Sequence, residues 1–206
     1  NEKEGGQKHG QLYDDFSSLL KEKKEDSEHT AFQMNFPRRS IRYYHHQYLK
    51  KGAKPAEIIA NTLAVIEEWE ETMKFKIFAK ILPSEVLKAA KESDDRYAKG
   101  TPLSMLDGVP IAIKDSIKVA DHTHYNGKSP KIEHRMWCVE PKEDDELVKR
   151  LRDAGAIILG TTIMTEGGVT PLGWSAHCQG PYTVYNFDRY CVGSSSGSAV
   201  AVAAGL

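Results

Sequence analysis

The stretch Leu106-Asp107-Gly108-Val109-Pro110-Ile111-Ala112-Ile113-Lys114-Asp115 decides how the rest of the chain is read. Asp107-Gly108 is a turn signal. The apolar run Val109–Ile113 behind it is too short for a helix and is closed by two charges, so it reads as a buried strand. Moving outward toward the C-terminus, Asp144–Ala154 places Leu147, Val148 and Leu151 on one helical face. Gly155 is a natural helix stop. Ala156–Leu159 is a second apolar strand, closed by Gly160. Helix, glycine, buried strand is the helix-to-strand half of an α/β layered fold. The chain then reaches a Gly/Ser loop at Gly193–Ser198 and a helix of Ala and Val at Ala199–Gly205, whose small side chains suit close packing.

Toward the N-terminus, three helices are expected. Ser84–Tyr97 carries Leu87, Ala90 and Lys91 behind Ser84 as N-cap. Residues 55–72 begin with Pro55, suited to a first helical turn, and repeat Ile58, Ile59, Leu63 and Ile66 at helical spacing. Residues 40–52 form the third. Residues 1–30 are a charged N-terminal extension, with Asn1–Gly10 disordered and Gln11–Lys24 helical. With no internal repeat and no low-complexity linker, residues 31–206 read as one domain.

Composition narrows the function classes. Of 206 residues, 40% are hydrophobic and 28% charged, with a net charge of -1, so no basic stripe points to nucleic acid. No apolar run approaches the roughly 20 residues that span a bilayer. The three cysteines, Cys138, Cys178 and Cys191, lack metal-ligand spacing and read as reduced thiols of an intracellular protein. His45-His46 and the pair His122/His124 have no third ligand placed near them, so no metal is expected. Tyr43, Tyr44 and Tyr48 read as packing residues. The protein is expected to be cytoplasmic or peripherally membrane-associated.

Two features carry chemistry. Strand alternation puts Val109, Ile111 and Ile113 on one face and Pro110, Ala112 and Lys114 on the other. With both faces covered, Lys114 points into a poorly solvated space where the charged form is disfavoured, and a neutral lysine can act as a base. The competing reading is a lysine that reaches solvent or pairs with Asp115. The second feature is Val192-Gly193-Ser194-Ser195-Ser196-Gly197-Ser198. Glycine freedom, four hydroxyls and a helix start make a set of donors suited to an anion or oxyanion. A P-loop is excluded because its Gly-Lys-Ser/Thr ending is absent. A catalytic serine loop and a polar helix cap remain.

Together, Leu106–Asp115, Leu151-Arg-Asp-Ala-Gly-Ala-Ile-Ile-Leu-Gly160 and Gly193–Leu206 resemble, in order and separation, the amidase signature family over residues 31–206. The triple-serine loop, with Tyr190 ahead of it, is most similar to the fatty acid amide hydrolase-like branch. The resemblance implies an α/β fold with a mixed β-sheet core flanked by helices, and an amide hydrolase using a Ser–cis-Ser–Lys triad. The family lysine falls on Lys114 and the bridging serine, with its cis peptide bond, on Ser194. The nucleophile and oxyanion hole would lie roughly two dozen residues beyond Ser194, past Leu206, so residues 1–206 are expected to stop before them and to be inactive alone. No cofactor is implied. The implied partner is a small amide, including N-acyl lipids; a homodimer and membrane association stay open. The same motifs serve the amidase subunits of glutamine amidotransferases, and a non-catalytic homologue is the third reading. Val192 stands where the family has glycine, Thr183-Val184 where it has Asn-Pro, and Thr161 where it has lysine; a β-branched Val192 would strain a positive φ.

Overall fold

The structure is a computed structural model that describes residues 39–73, 76–129, 140–174 and 180–206. The charged extension, Cys138 and Cys178 lie outside the described residues.

The chain enters through α1 (Ile41–Lys50), whose first turn is capped by Ser40 accepting the Tyr43 N–H at 3.2 Å. Pro55 opens α2 (Pro55–Met73). Then come β1 (Phe78–Ile81), α3 (Pro83–Ala98), β2 (Pro110–Lys114), α4 (Glu146–Asp153) and β3 (Ile157–Thr162). A short 3-10 turn (Glu166–Gly168), the hairpin β4 (Tyr182–Thr183) and β5 (Asn186–Tyr190), and α5 (Ser196–Ala204) complete the order.

Strands β1, β3 and β2 form one sheet in that order, with β3 antiparallel to β1 and parallel to β2. The sheet is therefore mixed. A parallel pair needs a crossover between its strands, and α4 lies in it. Every residue of β3 is buried, as a central strand with both faces covered requires. Ile157 and Leu159 join Ile59, Ile66, Trp69, Val86, Val200 and Ala201 in a core shared by α2, α3 and α5. Ile158 turns to the opposite face, with Ile113, Val119 and Val148 under α4. Helices thus flank the sheet on both sides.

Several boundaries differ from expectation. Helix α3 starts at Pro83, not behind a Ser84 cap: its N-cap is Leu82, which makes no side-chain cap bond. Proline is pre-set for the first helical position, where a backbone N–H has no intrahelical partner to lose. The buried face is Val86, Ala90 and Ser93, set by where α3 packs, and Leu87 and Lys91 are exposed. Helix α4 starts at Glu146 because the Asp145 carboxylate caps it, accepting the Leu147 N–H at 3.2 Å. Leu147 is then 48% exposed while Val148 is fully buried. Strand β3 does not stop at Gly160; β-branched Thr161 and Thr162 continue it, paired with β1 and β2. Helix α5 begins three residues earlier than expected, at Ser196, and its Val202 is 78% exposed, so one side of it is uncovered among the described residues.

Candidate active site

The site lies where β2 ends and α5 begins. Alternation holds along β2: Ala112 packs toward the core under α5, and Ile113 packs toward α4. Lys114, two residues after Ala112, follows it to the α5 side. The Lys114 Nζ donates to Ser194 Oγ at 2.8 Å, across 80 residues of sequence. Both side chains are half-buried. Lys114 neither leaves for solvent nor pairs with Asp115.

The position of Ser194 depends on how closely α5 approaches the sheet. Gly197, in its first turn, donates its N–H to the Ile163 carbonyl at 3.2 Å. A Cβ at that position would lie 2.7 Å from the carbonyl oxygens of both Ile77 and Ile163, so only glycine fits. A second tie joins Thr162 Oγ1 and Ser198 Oγ at 2.7 Å. Gly193, at φ 90°, makes the corner, and its N–H reaches the Pro171 carbonyl at 2.7 Å. These contacts take up donors that the sequence reading assigned to an anion: the Gly197 N–H is engaged, and so is that of Ala199, which reaches the Ser195 carbonyl at 3.0 Å. The Ser196 hydroxyl is buried, with no hydrogen-bond partner among the described residues.

Asp115, next to Lys114, is 1% exposed. Its two carboxylate oxygens accept the N–H groups of Tyr125 and Gly127, each at 3.2 Å. Burial pushes its carboxyl above the usual range, and those N–H bonds and the neighbouring His124 oppose the rise. His124 Nδ1 sits 3.9 Å from Asp115 Oδ1. Two further histidines are used locally: His45 Nδ1 lies 3.3 Å from the Tyr97 hydroxyl, and His122 Nδ1 is 3.0 Å from the Ala120 carbonyl. Burial lowers the His122 pKa. Among the described residues no group of three or more His, Cys, Asp or Glu is placed to hold a metal. Cys191 is a free thiol whose pKa burial raises.

Two expectations are corrected here. No cis peptide bond occurs among the described residues, so Ser194 follows a trans bond, the form without the steric cost of cis at a non-proline residue. The only described non-glycine residues at positive φ are Asp121 and Asn126, so Val192 carries no such strain; it is 70% exposed and the adjacent Gly193 takes the positive φ. Thr161 is buried in β3 and Val184 in the core. The sequence reading did not anticipate the Thr162–Ser198 tie or the engagement of Asp115. Their partners are a lone hydroxyl and backbone amides, which leave no motif.

A strand-end amine seated on the first serine of a Gly/Ser loop, over a mixed α/β sheet, makes a candidate serine–lysine site. A family model described as Amidase matches residues 57–206, and the chain belongs to that family. It is 34% identical over 170 residues to a fatty acid amide hydrolase of Arabidopsis thaliana, covering 81% of this chain and 27% of that protein. It is 32% identical over 172 residues to a mitochondrial glutamyl-tRNA(Gln) amidotransferase subunit of Anopheles gambiae, covering 77% of this chain and 32% of that one. In three dimensions it is similar to the native peptide amidase of Stenotrophomonas maltophilia, with a TM-score of 0.67 and 28% identity over 79% of this chain and 33% of that one. The chain thus spans about a third or less of the length of these relatives.

Proposed function

We propose that the full-length protein is a serine hydrolase of non-peptide amides, with fatty acid amides as the leading substrate class, and that Lys114 and Ser194 are its proton relay. The observation that carries this is the 2.8 Å contact between Lys114 Nζ and Ser194 Oγ. That distance suits proton transfer in either direction. In this relay Ser194 passes its proton to Nζ and takes one from the nucleophilic serine, which lies outside residues 1–206. The serine oxygen bonds to the amide carbonyl carbon, and backbone N–H groups outside this stretch stabilise the oxyanion. The C–N bond then breaks, and the amine leaves with the proton returned through Ser194. Water, deprotonated along the same path, cleaves the acyl-serine to a carboxylic acid. The fatty acid amide class is supported by the triple-serine loop and the similarity to the Arabidopsis protein.

The similarity to an amidotransferase component supports a second reading, in which ammonia is released from glutamine for a partner. The test is the full-length protein assayed on fatty acid amides, short amides, esters and glutamine, with Lys114→Ala beside it. Hydrolysis of acyl amides that falls about 10²–10⁴-fold in Lys114→Ala, with the fold intact, is the expected result. Glutaminase activity alone favours the second reading. No hydrolysis by a folded wild type leaves a non-catalytic homologue, and wild-type rates in Lys114→Ala remove the relay.

A further inference from the structure

The segment 163–171 is held between two neighbours. On one side, Gly168 borders the candidate relay: a Cβ added there would lie 3.9 Å from Ser194 Cβ, and three residues on the Pro171 carbonyl receives the Gly193 N–H. On the other side lies the turn Tyr125–Gly127. The Asn126 carbonyl accepts the Gly167 N–H at 2.9 Å. Gly127 is pressed against the same segment, at φ 73°, where a Cβ would be 2.5 Å from the Thr165 carbonyl oxygen. Asp115 ties that turn to β2 through its bonds to the Tyr125 and Gly127 amides, beside the turn's own Lys128 N–H to the Tyr125 carbonyl at 2.9 Å. The contacts close a ring: Lys114 and its neighbour Asp115, the 125–127 turn, the 165–168 segment, Ser194, and back to the Lys114 amine.

We infer that Asp115 is a positioning residue for the Lys114–Ser194 pair, acting through the 125–127 turn on the segment that borders Ser194. The inference rests on the relay proposed above. With both oxygens committed to backbone amides, the carboxylate does not compete with Ser194 for the Lys114 amine. An Asn at 115 keeps the volume but turns an NH2 toward one of the two amides, a donor facing a donor. That opens the turn from one side, and misplacement of ~1 Å at a reacting pair costs up to about 10²-fold in rate.

The experiment uses the full-length protein, with Asp115→Asn and, acting on the same joint from the far side, Gly127→Ala. Amide hydrogen exchange reads the joint without any chemistry. The amides of Tyr125, Gly127 and Gly167 should exchange about tenfold faster or more in Asp115→Asn, while those of α2 and α3 keep their rates. On an amide that the wild type turns over, kcat should fall at least about tenfold while KM stays within about twofold, the mark of a lost transition-state geometry. Gly127→Ala should show the same split. Unchanged exchange at Gly167 in both variants overturns the inference. So does wild-type kcat in an Asp115→Asn protein that shows the faster exchange. A wild type that hydrolyses no amide sinks the hydrolase reading instead, and the exchange pattern then decides the joint by itself.

Discussion

Asp107 shows how one side chain can anchor the approach to β2. It is fully buried, and its oxygens receive Arg96 Nε and Nη2 at 2.8 Å each, the Ser93 hydroxyl at 2.6 Å and the Leu103 N–H at 2.8 Å. Burial alone would push this carboxyl up, but Arg96, Ser93 and Leu103 outweigh it and hold it below the usual range. The sign follows. A carboxyl with a lower pKa in the folded than in the unfolded chain adds stability that is fully present above the ordinary carboxylate value of about 4. That stability is lost as pH falls through the folded value. Arg96→Met leaves a buried, unpaired carboxylate and should cost about 3–5 kcal/mol at neutral pH. With Arg96 gone, only Ser93 and Leu103 oppose burial, so the stability this carboxyl loses on acidification should shrink. Urea unfolding of wild type and Arg96→Met at pH 7 and under acid conditions checks both. Equal losses on acidification in the two proteins would show that the network does not set this titration.

At the scale of elements, the decisive contact is α5 on the sheet. Alanine is a better helix former than glycine by about 1 kcal/mol, so Gly197→Ala should strengthen α5 as an isolated helix. The new methyl would nevertheless meet two backbone carbonyls at 2.7 Å, and backbone cannot swing aside as a side chain can. Overpacking of this kind costs about 1–3 kcal/mol, which exceeds the helix gain. Gly197→Ala in the full-length protein is therefore expected to melt lower and, if the proposed relay operates, to lose hydrolysis together, because α5 must lift and carry Ser194 away from Lys114. A thermal melt with a parallel rate measurement decides it. A variant as stable and active as wild type would show that α5 has room to shift.

The legible elements are those with a strong local signature. Helix α4, Gly155 and β3 follow from an amphipathic face, a glycine and an apolar run, and β2 from its turn and alternation. The mixed sheet was implied by the family resemblance. The start of α3 slipped because Pro83 and Ser84 both suit a helix opening and only the proline takes it. Strands β1, β4 and β5 were not anticipated: they are short, and Lys80, Asp188 and Arg189 break any alternation. At the site, spacing alone left Lys114 with two fates. Its meeting with Ser194 depends on register and on α5 docking, neither of which is written locally. The resemblance narrowed the choice.

At the scale of the whole molecule, the apolar surface is informative. Val169, Leu172, Tyr185, Val192 and Val202 are each at least 60% exposed, and Leu172 and Val192 line a cavity of about 780 Å³ with Trp174 and Tyr190. Exposed apolar patches of this kind mark surfaces that bind or are covered. Residues 1–206 expressed alone are therefore expected to bind a hydrophobic dye, and a fluorophosphonate should leave Ser194, Ser195 and Ser196 unlabelled, since the proposed relay activates another serine. Mass spectrometry of the treated polypeptide checks the second point. Stoichiometric labelling of any of the three would make that serine a nucleophile in its own right.

The separation of 80 residues between Lys114 and Ser194 also bears on when reactivity arises. Apart, a lysine and a serine are chemically ordinary; the proposed relay is assembled only once the parallel pairing of β2 with β3 and the docking of α5 are both in place. Contacts so distant in sequence form slowly, because their loops must close first. A growing or half-folded chain would thus lack the proposed relay. If the relay operates as proposed, undocking of α5 by local opening would part Lys114 from Ser194 before the core gives way, and a rate assay of the full-length protein would register that loss ahead of any global melt.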